Sequence, residues 1–240
     1  MKSYEIIYHA LEQGILKGNY PPETYLPSET MLCQVYAVSR DTVRKSLALL
    51  MANGYIQKIQ GKGSLVLKRE QFRFPLSGLT SYKELQNSYG YQGKTRVVSL
   101  TMITITQSLA QQTGLPEGAA AWDLLRTREI EGAKIILDRD LFLCASVPTI
   151  DIQIAQDSIY HYFEETLQLQ IAFAEKEIII DHLTDQDREF LDLNQQDINI
   201  VSVASRVFLA NATQFQYTES RHRVDKFRFY DFARRNASTY

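Results

Sequence analysis

The sequence predicts an α+β chain in two parts: three helices closed by a β-hairpin, then a larger unit built on a mostly antiparallel sheet. Three observations predict it. The hydrophobic period changes from 3.6 to 2 near residue 55. The charge balance reverses near residue 70: residues 1–70 carry 9 Lys and Arg against 6 Asp and Glu, while the remainder carries 17 against 22. Beyond residue 76, β-branched runs are joined by short loops, with helices interspersed rather than strictly alternating.

The first helix is expected over residues 3–17, with Ile6, Ile7, Ala10, Leu11 and Ile15 at helical spacing. Gly18-Asn19 stops it and Pro21-Pro22 keeps it stopped. In Leu26-Pro27-Ser28-Glu29, Ser28 is a good N-cap and Glu29 suits the positive end of the helix dipole. The short second helix is expected to turn Met31, Leu32, Val35 and Tyr36 inward. Ser39 caps a third helix with Asp41 in its first turn and Val43, Leu47 and Leu50 on one stripe. Asn53-Gly54 ends it in the position favoured for a left-handed cap. Residues 55–60 and 64–68 then read as two strands around Gly61-Lys62-Gly63. Helix, helix, helix, hairpin is the order of a winged helix-turn-helix.

The polar stretch KREQFRFP (68–75) has no period of its own, so the expected organisation is a first domain over 1–69, a linker over 70–75 and a second domain over 76–240. Within the latter, strands are expected over 96–106, 171–180, 198–209 and 215–229, and a hairpin over 121–130 and 134–143 turning at Glu131-Gly132. Helices are expected over 108–113, over 158–167, and from a cap at Thr184 through Leu191.

Composition narrows the function classes. At 240 residues, 45% hydrophobic and 22% charged, the chain has material for packed cores, and an overall charge of −2 excludes a globally basic nucleic-acid binder. A basic first piece on an acidic body suggests two duties on two domains. Cys33 and Cys144 lie far apart without a CxxC, as expected of reduced thiols. No stretch approaches the roughly 20 apolar residues of a membrane span, and the first residues lack a signal-peptide core. A cytoplasmic protein is expected. His9, His161, His182 and His222 have no metal-ligand spacing, and no metal or cofactor is expected.

Gly61-Lys62-Gly63-Ser64 raises the possibility of a phosphate loop, which fails on spacing. The pattern would need Gly at position 56 and Ser or Thr at 63, where Ile56 and Gly63 stand, and it should lead into a helix rather than a strand. As a wing tip, the glycines allow a tight turn and close backbone approach to DNA, with Lys62 entering or skirting the minor groove. On the third helix Arg40 and Arg44 share a face flanked by Asp41 and Lys45, opposite the apolar stripe. Taken alone, such charges are a solvated helix face. Together with the Ser28 and Ser39 caps, the short turn and the Gly-flanked hairpin, they suggest a recognition helix.

"LPSE" (26–29), "SRDTVRKSLALL" (39–50), "NGYI" (53–56) and "GKGS" (61–64) resemble the signature of the GntR family of bacterial transcription regulators. The resemblance implies that Ser28 and Glu29 open the second helix, that Arg40, Thr42 and Arg44 contact DNA, and that Gly61-Lys62-Gly63 is the wing. Ser28 and Thr42 would touch the DNA backbone. Thr30 stands where the family often has an arginine, so one contact is missing or weaker, and Ser46 replaces the family's alanine.

On the expected 121–143 hairpin, Arg126 and Arg128 leave the same strand face, beside Leu124 and Ile130, and Asp138 lies on the face of Ile136 and Phe142. Two arginines can fork onto a phosphate, and a carboxylate can accept sugar hydroxyls. Taken alone, the residues read rather as a cross-strand Arg–Asp pair on the sheet surface. "FPLSGLTSYKEL" (74–85), "LLRTREIEGAKIILDRDLF" (124–142), "DSIYHYFEETL" (157–167) and "FQYTESRHRVDKFRFYDFARR" (215–235) resemble the UTRA effector domain of the HutC branch, which has a chorismate-lyase-like fold. That resemblance implies a sugar-phosphate site, with phosphate at Ser81, Arg126, Arg128, Ser158 and Tyr160, and sugar at Asp138, Gln216 and His222. Glu219 is left unassigned by strand alternation.

The resemblance further implies a homodimer paired through its second domains on palindromic operator DNA, and repression relieved by an effector, trehalose 6-phosphate foremost. Another sugar phosphate or catabolite is the alternative effector. An enzyme related to the lyase fold is the rival class, against which stands the lack of a nucleophile–base pair or metal motif. The basic run from Arg221 to Arg235 alternates with Val224, Phe227, Phe229 and Phe232, which suggests strand and interface rather than a second nucleic-acid patch.

Overall fold

The structure is a computed structural model that describes residues 2–68, 74–75 and 93–230. The chain divides into two compact units, residues 1–73 together with 230–240, and residues 74–229.

The first unit is α1 (Ser3–Leu16), α2 (Glu29–Tyr36), α3 (Arg40–Ala52), β1 (Ile56–Ile59) and β2 (Gly63–Val66). Both sequence-read caps form: the Ser28 hydroxyl accepts the Met31 N–H at 3.2 Å and the Ser39 hydroxyl accepts the Thr42 N–H at 3.3 Å. Gly54 follows α3 with φ of 72°, as its place after Asn53 suggested, whereas α2 ends on a left-handed Ala37 that no sequence signal marked. The core gathers Ile7, Leu11, Leu26, Leu32, Val43, Leu47, Leu50, Tyr55, Ile56 and Val66.

Two expected core faces hold in part: Ile7, Leu11, Ile15, Leu32 and Tyr36 join the core, and their expected neighbours do not. On α1 the buried stripe is Ile7, Leu11 and Gly14, leaving Ile6 and Ala10 exposed. On α2 the core side is Leu32 with Cys33 and Tyr36, leaving Met31 and Val35 exposed. A residue one place earlier sits 100° around the helix, which turns it from core to water. Gly14 belongs to the core because the Tyr20 ring lies against it; a Cβ there would stand 2.7 Å from Cε2.

The second unit is a six-stranded antiparallel sheet in the order β4-β5-β6-β9-β8-β7. Its strands are β4 (Gly93–Thr104), β5 (Ala120–Ile130), β6 (Ala133–Leu143), β7 (Ile171–His182), β8 (Asn199–Leu209) and β9 (Gln214–Arg223). A short β3 (Phe74–Pro75) pairs with β10 (Phe229–Tyr230). The helices are α4 (Gln107–Thr113), α5 (Ile152–Gln156), α6 (Ile159–His161), which runs into a wider π turn (Tyr162–Thr166), and α7 (Asp185–Phe190).

The β5–β6 hairpin turns at Glu131-Gly132, both in the left-handed region, which suits the twist of a tight hairpin. One sheet face packs Leu124, Phe142 and Val207 against Ala155 of α5, Ile159 of α6 and Phe163 of the π turn. The other packs Ala121, Leu141 and Tyr217 near α4, and Leu125, Leu137 and Ile200 near α7.

Two departures are local. The helix read over residues 158–167 is one α turn followed by the π turn, and α5 adds a helix that the sequence did not signal. The last long strand stops at Arg223, not Phe229. The Arg223 carbonyl accepts the N–H groups of Lys226 and Phe227, and its guanidinium grips Asp225 at 3.1 and 2.8 Å, folding the chain away from the sheet.

Candidate functional sites

Two groupings of charged side chains stand out, one in each unit. In the first unit α3 buries Val43, Ser46, Leu47 and Leu50 and turns Arg40, Asp41, Arg44 and Lys45 outward, as the sequence stripe implied. Lys45 pairs with Asp41 at 3.0 Å, an i, i+4 contact. The Ser39 and Thr42 hydroxyls lie 2.9 Å apart.

Glu29, in the first turn of α2, accepts from Arg44 Nε at 3.0 Å and from Lys58 Nζ at 2.9 Å. The hydrogen bonds from Lys58 and then Arg44 hold its carboxyl below the ordinary glutamate value. Lys58, on β1, was not singled out from the sequence; the only signal for it is its place on the strand leading to the wing. At the wing tip Gly61 and Gly63 have φ of 75° and 113°, the Lys62 N–H donates to the Ile59 carbonyl at 3.1 Å, and the Lys62 side chain is exposed.

In the second unit the strand register builds a polar band on one sheet face. Arg126 lies across from Asp138, Asp138 from Ser220, Asp140 from Thr218, Phe142 from Gln216 and Ile136 from His222. Arg126 donates through one terminal nitrogen to Asp140 at 2.6 Å and through the other to the Ala155 carbonyl at 3.1 Å; its buried Nε has no partner among the described residues. Arg128 donates to Asp138 at 2.7 Å and to the Thr95 hydroxyl at 2.5 Å. Ser220 donates to Asp138 at 2.6 Å, while Asp140 accepts from Gln216 at 2.9 Å and from the Thr218 hydroxyl. Tyr160 reaches the band by donating to Gln216 at 3.3 Å.

Burial by itself would raise the Asp138 carboxyl, but the charges of Arg128 and Arg126 and the hydrogen bonds from Ser220 and Arg128 outweigh it and hold it low. Burial lowers the Arg128 guanidinium, the neighbouring Arg126 charge adds to this, and Asp138 opposes both. Burial pushes the His222 imidazole down to about 4, leaving it neutral near pH 7.

Of the sequence-read effector residues, Arg126, Arg128, Asp138, Gln216 and His222 share this face, and Tyr160 joins through Gln216. Ser158 is the N-cap of α6, its hydroxyl accepting the His161 N–H at 3.3 Å. Ser81 lies outside the described residues. Glu219 points to the opposite face, where it meets Ser202 and Arg221. There Arg221 also holds the buried Asp187 at 2.9 Å and Asp181 at 3.0 Å, and is committed to the fold.

Asp140, Thr218, Ser220 and Thr95 were missed. Asp138/Asp140 repeats the i, i+2 spacing of Arg126/Arg128, and Gln216, Thr218, Ser220 and His222 alternate along one strand, so the period-2 signal was there to find. A separate open cleft of about 860 Å3 lies between β4 and α5, lined by Val97 to Thr101, Trp122 and Ile150 to Gln153; neither arginine lines it.

Two family models match the chain: bacterial regulatory proteins of the gntR family over residues 3–66, and the UTRA domain over residues 88–228. The chain is 47% identical, over 95% of its length and 96% of the relative's, to the HTH-type transcriptional regulator TreR of Bacillus subtilis. The chain belongs to the GntR family of bacterial regulators.

Among solved structures, the YydK transcriptional regulator of Bacillus subtilis matches 98% of this GntR-family chain and 100% of its own with a TM-score of 0.79; at 24% identity it speaks to fold. The effector-binding domain of the Bacillus subtilis trehalose repressor covers 60% of the chain and 99% of its own, at 43% identity and a TM-score of 0.55. The family assignment makes the protein a transcriptional regulator and not an enzyme. Its helix-turn-helix unit implies DNA as a partner, and its UTRA unit implies a small-molecule effector. No helix among the described residues is long and apolar enough to cross a membrane.

Proposed function

We propose that the protein is a cytoplasmic, homodimeric repressor of a trehalose utilisation operon, released from its operator by trehalose 6-phosphate. Residues 1–69 bind DNA, 70–75 link, and 76–240 bind the effector and pair the two chains. The observation that carries this reading is the 47% identity to TreR along nearly the whole of both chains. The polar band supports it: buried arginines suit an anion, and the adjoining carboxylates, amide and hydroxyls suit a sugar.

Arg40 and Arg44 read bases or clamp phosphates, Ser28 and Thr42 touch the DNA backbone, and the wing carries Lys62 to the minor groove. A phosphate arriving at Arg126 and Arg128 competes with Asp140 and Asp138 for the guanidinium groups, so binding is linked to a rearrangement of strand side chains. Release requires the effector to favour the state that does not bind DNA by about 1–3 kcal/mol.

The test uses the full-length protein and a duplex it selects from a random-sequence pool. Trehalose 6-phosphate should weaken binding to that duplex at least several-fold, and trehalose or glucose 6-phosphate should not. Equal release by glucose 6-phosphate points to another sugar phosphate as effector. An Arg126→Ala variant that still releases with unchanged sensitivity to trehalose 6-phosphate places the site elsewhere.

A further inference from the structure

Glu29 ties together the start of α2, the outer face of α3 and the wing strand β1. One carboxylate oxygen takes Arg44 Nε at 3.0 Å and the other takes Lys58 Nζ at 2.9 Å. The same three residues border a cavity of about 190 Å3 with Leu47, Met51 and Ile56, so close packing does not set where Arg44 lies.

The choice of atoms matters. A guanidinium carries one Nε–H and two terminal amino groups, and it reads guanine or a phosphate with two parallel N–H donors. Glu29 occupies Nε alone, and the terminal nitrogens of Arg44 have no partner among the described residues. Lys58 keeps two of its three ammonium donors.

A carboxylate close to DNA opposes phosphate binding, and both ion pairs lie at the surface, the Arg44 and Lys58 side chains 62% and 61% exposed against 26% for Glu29, so neither affinity nor stability accounts for Glu29. Orientation does. We propose that Glu29 is a specificity-determining positioning residue: without touching DNA, it presents the terminal edge of Arg44 to a base and sets Lys58 beside it as a phosphate contact. This rests on α3 being the recognition helix.

The experiment measures affinity of the full-length protein for the duplex selected by the unmodified protein and for a scrambled duplex, across a salt series, with a thermal melt of each variant. Glu29→Gln is expected to weaken the selected duplex about ten-fold while leaving the scrambled one unchanged or tighter. In an Arg44→Ala background the same substitution should change selected-duplex affinity less than two-fold. Lys58→Met should weaken both duplexes and reduce the salt slope by about 0.9.

Three results overturn the proposal. Glu29→Gln tightening both duplexes alike makes Glu29 only a repulsive charge. Weakening both alike with a lowered melting temperature makes it only structural. A further ten-fold loss in the Arg44→Ala background separates it from Arg44. If the unmodified protein selects no sequence at all, the recognition-helix reading itself fails, which the first arm shows before any variant is made.

Discussion

Arg126 and Asp140 stand one diagonal step apart across the β5–β6 ladder and meet at 2.6 Å, each only 3% exposed. The residue directly opposite Arg126 is Asp138, which serves Arg128 instead. The two pairs climb the sheet as a staircase, and each carboxylate takes a further hydroxyl from β9. Removing one member of a buried pair strands the other, which costs far more than the intact pair contributes.

Asp140→Ala is therefore expected to destabilise the second unit by about 3–5 kcal/mol. Trp122, the single tryptophan, lies on β5 and reports unfolding of this unit alone during denaturant titration. The double variant Arg126→Met/Asp140→Leu should recover most of the loss. A single-variant cost below about 1 kcal/mol contradicts the buried-pair account.

His222 sets an acid limit. Burial holds its folded-state value at about 4, while the unfolded value is about 6.5. Between the two, the unfolded chain binds a proton that the folded chain does not, so stability rises with pH there. It should be complete above about pH 6.5 and fall by up to about 1.4 kcal/mol per pH unit toward pH 4. Asp138, held low, adds its own loss as pH falls through the ordinary carboxylate range and below it. His222→Gln should flatten the slope between pH 4 and 6.5 in the Trp122 titration.

Gly61 has φ of 75° and nothing within 4 Å of where a Cβ would stand, so Gly61→Ala acts through the backbone alone. The strain is about 1 kcal/mol and falls on the wing. Affinity for the selected duplex should drop, with the Trp122 transition unmoved. Unaltered DNA binding indicates a hairpin tip that does not approach the duplex.

Gly14→Ala sets two effects against each other. Alanine favours a helix interior by about 1 kcal/mol over glycine. Its Cβ would stand 2.7 and 3.0 Å from two Tyr20 ring carbons, which demands that the ring move. The clash is expected to win, lowering the far-UV melting temperature of the first unit. Tyr20→Ala should then cost less in the Gly14→Ala background than in the parent.

The first unit was legible in sequence at the level of elements because each carries a punctuation mark: Ser28 and Ser39 at helix starts, Gly54 after α3, Gly61 and Gly63 at the hairpin. What periodicity misplaced was phase. Met31 and Val35 were read inward because the eight-residue α2 offers too few turns to separate adjacent 100° positions. In the second unit Glu131-Gly132 and the Thr184 cap fixed the hairpin and α7. The end of β9 was hidden because the Arg223–Asp225 grip that breaks the strand is a tertiary choice, not a period. Arg126, Arg128 and Asp138 were found by same-face spacing, whereas the order in which they pair was not. Diagonal partners depend on sheet twist and side-chain reach, which the sequence does not record.

The central junction of the sheet joins β6 to β9, so Asp138 meets a serine 82 positions later in the chain. During synthesis the three helices and hairpin of the first unit are complete by residue 68, but the band lacks half its members until His222 leaves the ribosome. At roughly 5–20 residues per second that interval is on the order of ten to thirty seconds. Each new molecule thus owns a helix-turn-helix before it owns the surface built around Arg126.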